Sequence, residues 1–181
     1  MTFLITGGSK CGKSSLAERL LDGFPGKKIY LATMQPFGED AHAAITRHRN
    51  MRAGKGFETV EQYTDLDTLC LPAHCAVLLE CMGNLCANEM FREAVPADPT
   101  HKILSGIRHL ALQTDRLVIV TNQVGSDGIT YPDGVAQYIR ILGDINRRLA
   151  LEADTVVECV CGIPLLLKGN LPCSIPCSPH S

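Results

Sequence analysis

Residues 7–14 of this chain read GGSKCGKS, and Gly7, Gly12, Lys13 and Ser14 meet every fixed position of the pattern GxxxxGK[ST]. What flanks the pattern constrains the fold. Phe3–Thr6 is a short apolar run of β-formers, and from Ser14 to Leu21 the residues Leu16, Ala17, Leu20 and Leu21 share one side of a helix. Strand, glycine turn and helix in that order bring backbone N–H groups and the positive end of a helix dipole to one point. Glycine supplies the positive φ such a turn needs. The result is a phosphate-binding loop, in which Lys13 reaches the outer phosphates and the Ser14 hydroxyl can ligate Mg²⁺.

The rest of the chain continues the alternation. Lys28–Thr33, Cys75–Glu80, Leu117–Thr121, Thr155–Val160 and Leu165–Lys168 read as strands. Helices are predicted over Glu39–Arg49, Gly83–Glu93, Thr100–Gln113 and Val135–Glu152, with a short one over Thr64–Leu71 and loop over 50–58. LVIVT at 117–121 is apolar throughout, as expected of a strand covered on both faces. These features predict an α/β fold, P-loop NTPase-like, with a mostly parallel sheet flanked by helices and right-handed crossovers. With 181 residues the chain suits a single domain, taken as residues 1–169. The segment after Gly169, NLPCSIPCSPHS, is rich in Pro and Ser, and 170–181 is expected to be a flexible tail.

Charge and cysteine content narrow the functional classes. Lys and Arg number 17 against 19 Asp and Glu, which argues against a nucleic-acid binder. No apolar stretch reaches the length of a membrane span. The chain opens without a secretory leader, and its nine cysteines lie partly inside apolar runs such as that around Cys75 and Cys81. Reduced, mostly buried thiols in a cytoplasmic protein are expected. The spacings lack paired Cys-x-x-Cys, so structural zinc is the less favoured reading.

Two further sites attract attention. Glu80 ends the apolar strand CAVLLE, where a carboxylate could orient Mg²⁺ opposite Ser14 or cap the following helix. In DAHAAITRHRNMR, Ala41, Ala44, Ile45 and His48 fall at helical spacing on one face, and Arg47, Arg49 and Arg52 surround His48. Neighbouring positive charge keeps an imidazole neutral, the form a histidine nucleophile needs, and the arginines could clamp a phosphate. An ordinary histidine in a solvated basic patch fits the same residues. From the residues alone, three functions stay open: an enzyme that moves phosphate groups through His48, a P-loop small-molecule kinase with His48 a spectator, and a nucleotide-binding regulator without catalysis.

Several segments together resemble the bifunctional adenosylcobinamide kinase / adenosylcobinamide-phosphate guanylyltransferase family. They are TGGSKCGKS at 6–14, IYLAT at 29–33, ITRHRNMR at 45–52, FETVE at 57–61, LLEC at 78–81, VTNQVG at 120–125, LGDINRRLA at 142–150 and GIPLLLKG at 162–169. The resemblance implies phosphorylation of adenosylcobinamide with ATP or GTP. Transfer of GMP from GTP to the resulting phosphate would follow, through a guanylylated histidine, in the assembly of adenosylcobalamin. On this chain the histidine is His48. The implied nucleotide contacts are Gly7, Gly8, Ser9, Lys10, Cys11, Gly12, Lys13 and Ser14 in the loop, then Ala32, Thr33 and Met34. Arg49, Asn50, Met51, Arg52, Glu61 and Glu80 complete them, with Mg²⁺ on Ser14 and Glu80. The resemblance also implies a homo-oligomer.

Overall fold

A computed structural model describes residues 1–36, 46, 54–92, 97–125, 128–173 and 175. Seven strands form one sheet: β1 (Thr2–Thr6), β2 (Lys27–Ala32), β3 (Phe57–Glu61), β4 (Cys75–Leu79), β5 (Arg116–Val120), β6 (Thr155–Val160) and β7 (Ile163–Lys168). Their spatial order is β3-β2-β4-β5-β1-β6-β7. Every neighbouring pair is parallel except β6 and β7, which close one edge as an antiparallel hairpin. Four α-helices are present among the described residues: α1 (Lys13–Arg19), α2 (Met82–Met90), α3 (Thr100–Gln113) and α4 (Asp133–Glu152). The predicted single α/β domain with a mostly parallel sheet is what the chain forms.

Alternate residues of each strand feed two separate cores, as the two-residue period of a strand dictates. Leu4, Ile29, Leu31, Val77, Leu79, Leu117 and Ile119 pack against α2, α3 and α4. Phe3, Ile5, Tyr30, Ala76, Leu78, Val118 and Val120 pack against Leu16, Ala17, Leu20 and Leu21 of α1 and the turn after it. The second face is also covered by Leu171 and Ile175. Ile175 is buried there and Leu171 packs beside it, while the Asn170 carbonyl accepts a hydrogen bond from the Thr155 hydroxyl.

Three local expectations are corrected. Phe57 and Glu58, expected in a loop, open strand β3, which extends the parallel sheet beyond β2. The helix expected over 64–71 is a single 3₁₀ turn at Leu66–Thr68, because Asp65 takes a left-handed conformation (φ 54°) and Leu69 is already extended. The last strand begins at Ile163 rather than Leu165. The helix expected over 39–49 lies outside the described residues except for Thr46, which is helical.

Candidate functional site

The loop between β1 and α1 is shaped by its glycines. Gly7 has φ 144° and Gly12 φ 101°, with Lys10 also left-handed at φ 57°. A Cβ on Gly7 would stand 2.5 Å from the Cys159 carbonyl oxygen and 2.9 Å from Cys11 Sγ. Gly12 is the N-cap of α1, so the loop delivers that helix's free N–H groups to its own concave side. From below, the β6–β7 turn clasps the loop: the Gly162 N–H donates to the Cys11 carbonyl at 2.8 Å, and Cys159 Sγ approaches the same oxygen at 3.1 Å.

Lys13 is buried and folds back over this loop. Its ammonium donates to the Gly7 carbonyl at 2.9 Å and to the Gly8 carbonyl, and lies 3.9 Å from Cys11 Sγ. These carbonyls compensate a charge that burial would otherwise disfavour.

Opposite the loop lies a cavity of about 560 Å³ at the C-terminal edge of the parallel strands, where open α/β sheets bind ligands. Ser9, Lys10, Cys11, Gly12, Lys13, Ser14 and Ser15 form one wall. Met34 after β2, Glu80 and Cys81 after β4, Asn84 on α2, and Val120 and Asn122 at the end of β5 form the others. Glu80 is fixed by backbone: its Oε2 accepts the N–H groups of Thr33 at 3.1 Å and Met34 at 3.3 Å. The N-cap of the following helix is occupied by Cys81, whose sulfur accepts the Asn84 N–H. Burial pushes the Cys81 thiol above its ordinary range, opposed by the N–H groups of Asn84 and Gly83. The end of β2 is latched further: the Thr33 hydroxyl donates to the Cys81 carbonyl, and the Asn88 amide donates to the Thr33 and Tyr63 carbonyls.

Of the expected nucleotide residues, Ser9 through Ser14, Met34 and Glu80 line this one cavity. Gly7 and Gly8 belong to the same loop; Ala32 ends β2, and Thr33 follows it and donates its N–H to the cavity-lining Glu80. Glu61 pairs with Ala32 at the end of β3 and accepts the Tyr63 hydroxyl. His48, Arg49, Asn50, Met51 and Arg52 lie outside the described residues. Ser15, Cys81, Asn84, Val120 and Asn122 line the cavity without having been singled out from sequence. Their signal was position, since Cys81 and Asn122 immediately follow two buried strands.

A glycine loop between the first strand and its helix, a lysine at its centre and a fixed carboxylate across the cavity define a P-loop nucleotide-binding protein. The chain belongs to the cobinamide kinase / cobinamide phosphate guanyltransferase family, whose model matches residues 3–167. It is 34% identical to the bifunctional adenosylcobalamin biosynthesis protein CobU of Salmonella typhimurium and 33% identical to that of Escherichia coli. Each match covers 93% of this chain and all of the relative. The bifunctional adenosylcobalamin biosynthesis protein CobP of Pseudomonas aeruginosa is 27% identical, over 94% of this chain and 99% of the relative.

Proposed function

We propose that this chain phosphorylates adenosylcobinamide with ATP or GTP and then transfers GMP from GTP to the product, releasing pyrophosphate. The observation that carries this reading is the single cavity shared by the phosphate loop, Lys13, Ser14 and Glu80, in a chain matched to the family over nearly its whole length.

In the kinase step the substrate hydroxyl oxygen attacks the terminal phosphorus in line, and the bond to the bridging oxygen breaks. Lys13 exchanges its carbonyl partners for the phosphate oxygens and neutralises the charge that develops there. Ser14 and Glu80 offer a hydroxyl and a carboxylate in the same cavity, a hard oxygen set that suits Mg²⁺. Such an ion, when bound, neutralises phosphate charge. Ala32, Thr33, Met34 and Glu61 hold the rest of the nucleotide at the sheet's C-terminal rim.

In the second step a ring nitrogen of His48 attacks the α-phosphorus of GTP, the bond to pyrophosphate breaks, and a phosphoramidate forms. An oxygen of cobinamide phosphate then displaces the histidine. Arg49 and Arg52, with Asn50 and Met51 between them, sit beside His48 in sequence, where guanidinium groups can hold the phosphate. The working form is a homo-oligomer in the cytoplasm.

The test is incubation with GTP labelled on the α-phosphate, followed by denaturation and mass spectrometry. A GMP adduct on His48, lost in His48→Asn and falling as acid protonates the imidazole, is the expected result. Phosphorylation of cobinamide without an adduct would leave a simple kinase, and binding without either reaction would leave a regulator.

A further inference from the structure

Two cysteines, one in the phosphate loop and one on β6, approach each other, and the thiol of neither has a part in the reaction just described. Cys11 is half-buried and lines the cavity, while Cys159 is buried on β6. In the sheet register Thr6 pairs with Glu158, so Cys159 follows at the level of Gly7. Cys159 Sγ lies 3.1 Å from the Cys11 carbonyl oxygen. A Cβ placed on Gly7 would touch Cys11 Sγ at 2.9 Å, and one placed on Gly12 would lie 3.6 Å from Cys159 Sγ. Both sulfurs therefore bracket the same pair of loop glycines. The Cys159 thiol is held above its ordinary range by burial first and by the adjacent Cys11 thiol next.

We propose that Cys11 and Cys159 form a reversible disulfide that pins the phosphate loop to β6 and shuts off nucleotide binding. The oxidant is a small peroxide. Cys11, open to the cavity, attacks a peroxide oxygen: its thiol becomes a sulfenic acid, the O–O bond breaks and one water leaves. The Cys159 sulfur then displaces hydroxide from the Cys11 sulfur, giving the S–S bond and a second water. Two thiols are oxidised by two electrons and one hydrogen peroxide is reduced to two waters. A dithiol returns both sulfurs to thiols by exchange. β6 is held on both sides, by β1 and β7, so the link ties the loop to a fixed strand. It holds the loop in the form in which Lys13 bonds Gly7 and Gly8, when phosphate binding needs those bonds exchanged.

The experiment exposes the full chain to hydrogen peroxide, blocks remaining thiols by alkylation and maps linked peptides by mass spectrometry. The expected species joins the peptides of Cys11 and Cys159, with at least a tenfold loss of affinity for a fluorescent GTP analogue that dithiothreitol restores. In Cys159→Ser the hydroxyl can still donate to the Cys11 carbonyl, but no second sulfur remains. There the sulfenic acid should persist, and dimedone should label Cys11 in the variant and leave it unlabelled in the wild type. The proposal is overturned if Cys11 pairs with the exposed Cys161 instead, or if dimedone labels only Cys70, Cys161 and Cys173. A linked protein that binds the analogue as the reduced one does would also overturn it.

Discussion

In the proposed reaction Lys13 has two sets of partners, and the structure holds the first of them. Its bonds to the Gly7 and Gly8 carbonyls keep the buried ammonium compensated at rest. Lys13→Ala should therefore leave the fold nearly intact and remove the charge from the outer phosphates. Both half-reactions are expected to fall at least 100-fold, since each uses a nucleotide in this loop. Near-normal rates of cobinamide phosphorylation and GMP transfer in the variant would sink the assignment. Glu80 offers a different contrast. Glu80→Gln keeps an amide oxygen for the Thr33 and Met34 N–H groups but loses the charge. Turnover against Mg²⁺ concentration should shift to higher metal, with the unfolding midpoint within about 2 °C of wild type. Glu80→Ala removes the acceptor as well and should cost about 1–3 kcal/mol, read as a lower thermal midpoint. If Glu80→Gln follows the wild-type Mg²⁺ curve, the carboxylate serves only to fix the end of β2.

Between elements, an electrostatic joint outside the cavity lining links α2, α3 and the 3₁₀ turn. Lys102 on α3 bonds Asp65, at the start of the 3₁₀ turn, and Glu89 on α2, whose other oxygen accepts the Asp65 N–H. The Lys102 hydrogen bond is the main cause holding the Asp65 carboxyl at about 2, below its ordinary value. A depressed carboxylate stabilises the folded state above the unfolded value of about 4, and that contribution is lost as pH falls toward 2. Urea midpoints should drop over that window in the wild type and less steeply in Asp65→Asn. Equal slopes would show that the joint carries no linkage. This joint was not legible in the sequence, because its three residues lie far apart along the chain. β3 was missed for another reason: Glu58, Thr59 and Glu61 are exposed, so FETVE lacks the apolar pattern that reveals a strand. The central strands and the phosphate loop were legible because burial on both faces and close glycine packing leave a local signature. The β6–β7 turn under the loop left none, since Gly162 meets Cys11 only after the sheet has assembled.

At the scale of the molecule, the two faces of the sheet are covered unequally. Among the described residues three helices cover one face, and α1 with Leu171 and Ile175 covers the other. The first turns of α4 carry an exposed Val135, and Ile129 and Val124 are exposed in the stretch before it. No helix among the described residues is long and apolar enough to cross a membrane. A self-associating chain would cover such residues, so light scattering should give a mass that is a multiple of 19.6 kDa. A mass of one chain at micromolar concentration would remove the oligomer from the proposal.

The edge position of β3 has a consequence for how the site breathes. Among the described residues β3 is hydrogen-bonded to β2 alone, whereas β1 is held between β5 and β6. Opening β3 exposes little apolar surface, so its amides should exchange with deuterium through a local event well below the free energy of global unfolding. The amides of Leu4–Thr6 should exchange only when the whole domain opens. The strand carrying Glu61 is then pliant and the loop carrying Lys13 is stiff, and, if Glu61 contacts the nucleotide as proposed, binding should slow exchange most at 57–61. Protection that rises equally in β1 and β3 would mean the cleft closes as one rigid body.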